Sequence, residues 1–107
     1  SRGIGAATAH LAAERGYAVC VNFHHNRKAA DTVVSAIERT GGQAIAVAAD
    51  VSSESNVIQL FKTVDKELGI VTALVNNAGI LEKQMRLEDM DASRLNRIFT
   101  TNISGYF

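Results

Sequence analysis

Gly3 and Gly5 bracket Ile4 at the head of an Ala-rich helical pattern, directly after Arg2. Glycine lets a backbone turn tightly and come close to a bound group. The amino end of a helix adds unpaired N–H groups and the positive end of its dipole, and together these favour a phosphate. A bare G-x-G also serves as a plain loop into a helix. Its place here, at the first helix of a strand–helix array where open sheets bind ligands, points to the binding use. Two polar clusters follow apolar runs further along: Asp50-Val51, and Asn76-Asn77-Ala78-Gly79. Taken alone, Asp50 also fits an Asx-type cap for the next helix, and the Asn pair fits a polar turn. Asn102 shares a helical face with Leu95, Ile98 and Phe99. An amide on such a face needs partners or costs about 1–3 kcal/mol, and taken alone Asn102 fits a buried amide bonded to a neighbouring loop.

Apolar periodicity supplies the elements that must position these residues. A helix is expected over 3–15, stopped by Gly16, and a buried strand over 17–23. A second helix over 27–39 carries Ala30, Val33, Val34 and Ile37 on one side, and Gly41-Gly42 ends it. A strand over 43–49 follows, then a helix capped by Ser52 or Ser53 with Val57, Leu60, Phe61, Val64 and Leu68 on one face. Gly69 stops that helix, and 71–75 reads as a third strand. After a loop from Asn76 to about Met90, Asp91 caps a last helix carrying Leu95, Ile98, Phe99, Ile103 and Tyr106. Strands alternating with helices imply right-handed crossovers and a parallel sheet covered on both faces. The expected fold is an α/β doubly wound, Rossmann-like sheet. The layout calls for a strand before Ser1, so residues 1–107 are expected to be part of a single dinucleotide-binding domain, lacking its first strand and its C-terminal half.

Composition narrows the function classes. Lys plus Arg and Asp plus Glu each total 11 in 107 residues, which excludes the basic surface of a general nucleic-acid binder. With 47% hydrophobic and 21% charged residues, the chain is globular rather than disordered. The lone Cys20 allows neither an internal disulfide nor a cysteine-based zinc site, no metal site is expected, and a cytoplasmic setting fits. No apolar run is long enough to span a membrane and no signal peptide is visible.

Four motifs together carry a family resemblance. S-R-G-I-G resembles the end of the T-G-x-x-x-G-x-G turn of the short-chain dehydrogenase/reductase family, Asp50-Val51 its Asp-Val pair, N-N-A-G its element of the same sequence, and T-N-I-S-G its T-N-x-x-G segment. They occur in the family's order, and the likeness spans the whole chain. Within the classical group, V-N-F-H-H-N-R-K-A-A is similar to a run seen in many NADP-using members, near the ketoacyl-carrier-protein and glucose-dehydrogenase-like reductases.

The resemblance implies NADP as cofactor, contacted by Ser1, Arg2, Gly3, Ile4 and Gly5 in the turn, by Asn22, His24 and His25 at the next strand tip, and by Asp50, Val51, Asn77, Ala78 and Gly79. Arg2 would face the 2′-phosphate, Asp50 the adenine amino group, and Asn77-Ala78-Gly79 the ribose. Dinucleotide folds usually place a carboxylate about 20 residues past the glycines to bind a ribose 2′-hydroxyl. Residues 22–26 hold none, so a 2′-phosphate is admitted, and His24 or His25 could donate to it, more strongly when protonated.

The resemblance also implies hydride transfer between a nicotinamide and a small-molecule carbonyl or alcohol substrate, with Asn102 holding a water of the proton relay. The family's Ser and Tyr-x-x-x-Lys are not among these residues: Tyr17 is followed by Val21 at the fourth position, and Tyr106 is next to last. The segment alone should not turn over. The alternative is a non-catalytic NADP-binding sensor or structural protein on the same fold. A homo-oligomer, commonly a tetramer, is implied as well, and the stripe Leu95, Ile98, Phe99 and Ile103 suits either subunit packing or a core role.

Overall fold

The computed structural model describes residues 2–107. The chain opens with α1 (Gly3–Glu14), an alanine-rich helix closed by Gly16 at φ +87°. Gly16 N donates to Ala13 O (2.9 Å) and Tyr17 N to Ala12 O (3.1 Å), which satisfies carbonyls that the helix end leaves open. Tyr17 and Ala18 are thereby used in leaving the helix, and β1 runs only from Val19 to Phe23. The α2 helix (Arg27–Arg39) begins at Asn26, whose side chain accepts from Ala29 N at 3.0 Å. It ends in the same closing pattern, with Gly41 N on Glu38 O (2.9 Å) and Gly42 N on Ile37 O (3.0 Å). Next comes β2 (Ala44–Ala48), parallel to β1 in the register Val19↔Ala44 to Phe23↔Ala48.

The core lies between this strand pair and the two helices. Ala9 of α1, Val21 and Phe23 of β1, Ala30, Val33 and Ile37 of α2 and Ala44 of β2 are buried together. Ile37 is 1% exposed, and burial of such a side chain contributes about 1.5–3 kcal/mol. The following helix, α3 (Glu54–Glu67), is capped by Ser53 and packs on β2. A single 3₁₀ turn at Leu87–Asp89 precedes α4 (Ala92–Asn102), which Asp91 caps with a 2.7 Å bond from Arg94 N.

Two expectations need correction. The run 71–75 forms no strand; Thr72, Ala73, Leu74 and Val75 are exposed. A strand exists through ladder hydrogen bonds, and β1 and β2 pair with each other. In the doubly wound order, 71–75 would neighbour a strand ahead of the glycine turn, and the described residues hold none. The last helix also stops at Asn102 instead of continuing through Tyr106. Ile103, at φ −118° and ψ −67°, departs from helical geometry, and a 3₁₀ turn over Ser104–Tyr106 follows.

Candidate functional site

Helix α1 begins without a side-chain cap. Arg2 is exposed and extended (φ −142°, ψ 166°), and its side chain makes no capping bond. Gly3 has φ +53°, the left-handed region in which glycine is favoured, and a Cβ there would face open space. Ile4 is 81% exposed beside it. This uncapped helix start, with room above Gly3, fits a pyrophosphate by backbone N–H donation and dipole. Ser1 lies outside the described residues.

Gly5 has a different neighbour. A Cβ on it would sit 2.5 Å from Asn77 Nδ2 and 3.0 Å from Asn77 Cγ, so the loop after 71–75 closes directly onto the first turn of α1. Ala78 is half-buried beside Asn77, and Gly79 and Ile80 approach α4. Asn102 Oδ1 accepts from Ile80 N at 2.8 Å, and Asn102 Nδ2 donates to Ile80 O at 2.9 Å. A Cβ on Gly79 would lie 3.5 Å from Asn102 Oδ1. The amide thus finds both of its partners on a single loop residue.

The strand tips complete the arrangement. Past β1, the rings of His24 and His25 stack with centroids 3.6 Å apart. His24 Nε2 lies 3.7 Å from Asp50 Oδ2. Asp50 Oδ1 accepts from Ser52 N (2.9 Å) and Ser52 Oγ (2.6 Å), and these bonds, with His24 and His25 nearby, hold its carboxyl below the usual aspartate value. Asn56 Oδ1 accepts from Asp50 N at 3.3 Å, and the Asp50 carboxylate closes its own turn ahead of α3. Asn22 Nδ2 donates to Val47 O (3.3 Å) and Ala49 O (3.1 Å), so its amide nitrogen is spent on the edge of β2.

Several participants escaped sequence reasoning. A Cβ on Gly105 would come within 3.0 Å of both Val51 O and Val51 Cγ2, which brings the turn after α4 onto the Asp50-Val51 tip. Asn76 Nδ2 donates to Tyr106 O at 3.2 Å and ties the N-N-A-G loop to that turn. Arg97 Nε and Nη2 reach Glu82 Oε1 at 3.2 and 3.1 Å, Arg97 Nη1 reaches Ser93 Oγ at 2.8 Å, and Arg94 donates to the Lys83 carbonyl, fixing the loop beyond Ile80 onto α4. The signals were available in part: the glycine of T-N-I-S-G and the serine two residues past Asp50 are visible in the sequence, whereas the Glu82–Arg97 pairing has no local pattern. Among the described residues there is no group of three or more potential metal ligands, and no helix is long and apolar enough to cross a membrane.

A family model described as short chain dehydrogenase matches residues 1–107. An uncharacterized oxidoreductase, YgfF, of Escherichia coli is 47% identical over 107 residues, covering 100% of this chain and 43% of that protein. The 3-oxoacyl-[acyl-carrier-protein] reductase of Synechocystis is 43% identical over 111 residues, again covering 100% of this chain and 43% of that protein. Among solved structures, a dehydrogenase/reductase from Sinorhizobium meliloti superposes with a TM-score of 0.95 at 34% identity, covering 99% of this chain and 42% of the other. The Serratia marcescens short-chain dehydrogenase/reductase gives 0.91 at 30%, covering 98% and 42%. The chain therefore spans less than half the length of the relatives it matches, and its fold is the corresponding part of their α/β sheet.

Proposed function

Because the chain belongs to the short-chain dehydrogenase family, we propose that it is the cofactor-binding part of an NADP(H)-dependent oxidoreductase acting on a small carbonyl or alcohol. The observation that carries this reading is the approach of Asn77 to Gly5, which leaves no room for a side chain between the glycine turn and the N-N-A-G loop. In the reading, the α1 amino end and the turn Ser1–Gly5 hold the pyrophosphate, and Asn77, Ala78 and Gly79 line the ribose beside it. Asp50, its carboxyl held below the usual aspartate value by Ser52, accepts from the adenine amino group, with the Val51 backbone against the ring. Arg2, exposed ahead of α1, faces the 2′-phosphate together with His24 and His25. Residues 22–26 carry no carboxylate to repel it. Asn22 serves by bracing the two strand tips.

The bound dinucleotide would supply the hydride that reduces a carbonyl carbon or accept one from an alcohol. The contribution of this chain to the chemistry is to bind and orient. Asn102, through its paired bonds to Ile80, fixes the loop that follows Gly79, and in this reading it also holds the water of the proton relay. The acid/base tyrosine and its lysine do not occur as Tyr-x-x-x-Lys in these 107 residues. We assign the whole protein to the cytoplasm and to a homo-tetramer.

The test uses the intact polypeptide. We expect kcat/KM for NADPH to exceed that for NADH at least tenfold, and Arg2→Ala to lower the NADPH value selectively. Equal or NADH-favouring values overturn the assignment of NADP. Absence of calorimetric binding by either nucleotide overturns the whole reading.

A further inference from the structure

From Asn76 to Arg86 the chain forms neither helix nor strand, so its shape depends on what it is tied to. At the near end, Asn76 Nδ2 donates to Tyr106 O and Asn77 closes onto Gly5. At the far end, three successive ties come from α4. Asn102 takes both backbone polar groups of Ile80. Arg97 forks onto Glu82 Oε1 through Nε (3.2 Å) and Nη2 (3.1 Å), and Arg94 donates to the Lys83 carbonyl. Loop positions 80, 82 and 83 therefore meet helix positions 102, 97 and 94, in antiparallel order. The lengths agree, since the loop from 80 to 83 spans about 10 Å when extended, and the helix from 94 to 102 rises about 12 Å.

A segment held at one residue can pivot about it, and Asn102 holds only Ile80. Arg97 supplies a second point two residues further on. Its guanidinium is itself held, because Nη1 reaches Ser93 Oγ at 2.8 Å, one turn back along α4. Glu82 is the more buried partner, its side chain 28% exposed against 55% for Arg97. An exposed ion pair usually contributes little, since two long side chains must be ordered to form it. Here Ser93 already restrains one of the two, and the ties on either side bring Glu82 to the other.

Resting on the nucleotide-binding reading above, we propose that Arg97, with Glu82 as its partner, is a positioning residue that keeps the Asn77–Gly79 loop in its binding shape before the nucleotide arrives. Arg97 acts through the loop and does not touch the ligand. A loop that must be ordered on binding lowers affinity, and ordering it beforehand removes that cost. The clamp acts on residues 80–83 and not on residues 22–26, so it serves NADP⁺ and NAD⁺ alike.

Calorimetric titration of the intact protein with NADP⁺ and with NAD⁺ tests this in Arg97→Met, in Glu82→Gln, in the two combined, and in the exchanged pair Glu82→Arg/Arg97→Glu. Each single variant should weaken both nucleotides by the same factor, about fivefold. The combined variant should lose no more than either single one, because partners in contact are not additive. The exchanged pair should recover most of the loss, which a general loss of fold stability would not do. Hydrogen exchange of the unliganded proteins is a second measurement. The Ile80 amide should exchange faster in the single variants and slow again in the exchanged pair. Unchanged affinity in the single variants, additive losses in the combined one, a loss confined to one nucleotide, or unchanged exchange at Ile80 overturns the positioning role and leaves the function standing. If wild type binds neither nucleotide, the function and the positioning role fall together.

Discussion

Asn102 clamps the backbone of Ile80 from both sides, its Oδ1 accepting the Ile80 N–H at 2.8 Å and its Nδ2 donating to the Ile80 carbonyl at 2.9 Å. The amide thereby joins the end of α4 to the loop that Gly5 and Asn77 anchor at the other side of the site. The half-buried amide of Asn102 is tolerated because both of its polar atoms are bonded.

Asn102→Ala leaves the half-buried Ile80 backbone without these partners. The expected cost is about 1–3 kcal/mol, measured by urea denaturation of the intact protein. Hydrogen exchange of the Ile80 amide should speed up selectively. An unchanged exchange rate would show that the clamp does not hold the loop.

Gly5→Ala pushes a methyl group into Asn77, whose Nδ2 and Cγ would lie 2.5 and 3.0 Å from it. The short Asn77 side chain must swing away and disturb the loop behind it. We expect nucleotide affinity to fall roughly tenfold, a change of about 1.4 kcal/mol. Fold stability should stay within about 1 kcal/mol, because alanine is the better helix former. Calorimetry and denaturation read the two effects separately, and undiminished affinity would contradict the close-approach argument.

Ile37 and Gly42 make the tightest joint of the core. Ile37 is 1% exposed, Gly42 N donates to its carbonyl, and a Cβ on Gly42 would lie 2.7 Å from Ile37 Cγ2. Ile37→Ala should cost about 2–5 kcal/mol by leaving a cavity. Gly42→Ala should cost about 1–3 kcal/mol by overpacking. Urea midpoints of the two variants check both values.

The lowered carboxyl of Asp50 has Ser52 as its first cause. A group that titrates lower in the folded state stabilises it at pH values above the ordinary aspartate value of about 3.9. That contribution disappears as pH falls through the folded value. Ser52→Ala removes the hydroxyl donor and should move the Asp50 carboxyl upward, shrinking the acid-dependent part of stability. Carboxyl carbon NMR titration of both proteins measures the shift, and no upward movement would exclude the hydroxyl as its cause.

Sequence by itself determined the local architecture. The stripe Ala30, Val33 and Ile37 marked the buried face of α2, Gly16 and Gly41 marked helix ends, and Asp91 marked a start, because periodicity, left-handed glycines and capping are effects of neighbouring residues. For α3 it left Ser52 or Ser53 as the cap, and the structure selects Ser53. The tertiary structure alone decided whether 71–75 becomes a strand, since β-structure is made by a partner that can lie far away in the chain. It likewise decided that Asn22 turns its amide onto Val47 and Ala49, that Asn102 meets Ile80, and that Gly5, Asn77, Val51 and Gly105 share one end of the fold. Those are approaches between residues 22 to 72 positions apart, or 54 in the case of Val51 and Gly105, and no local pattern encodes them.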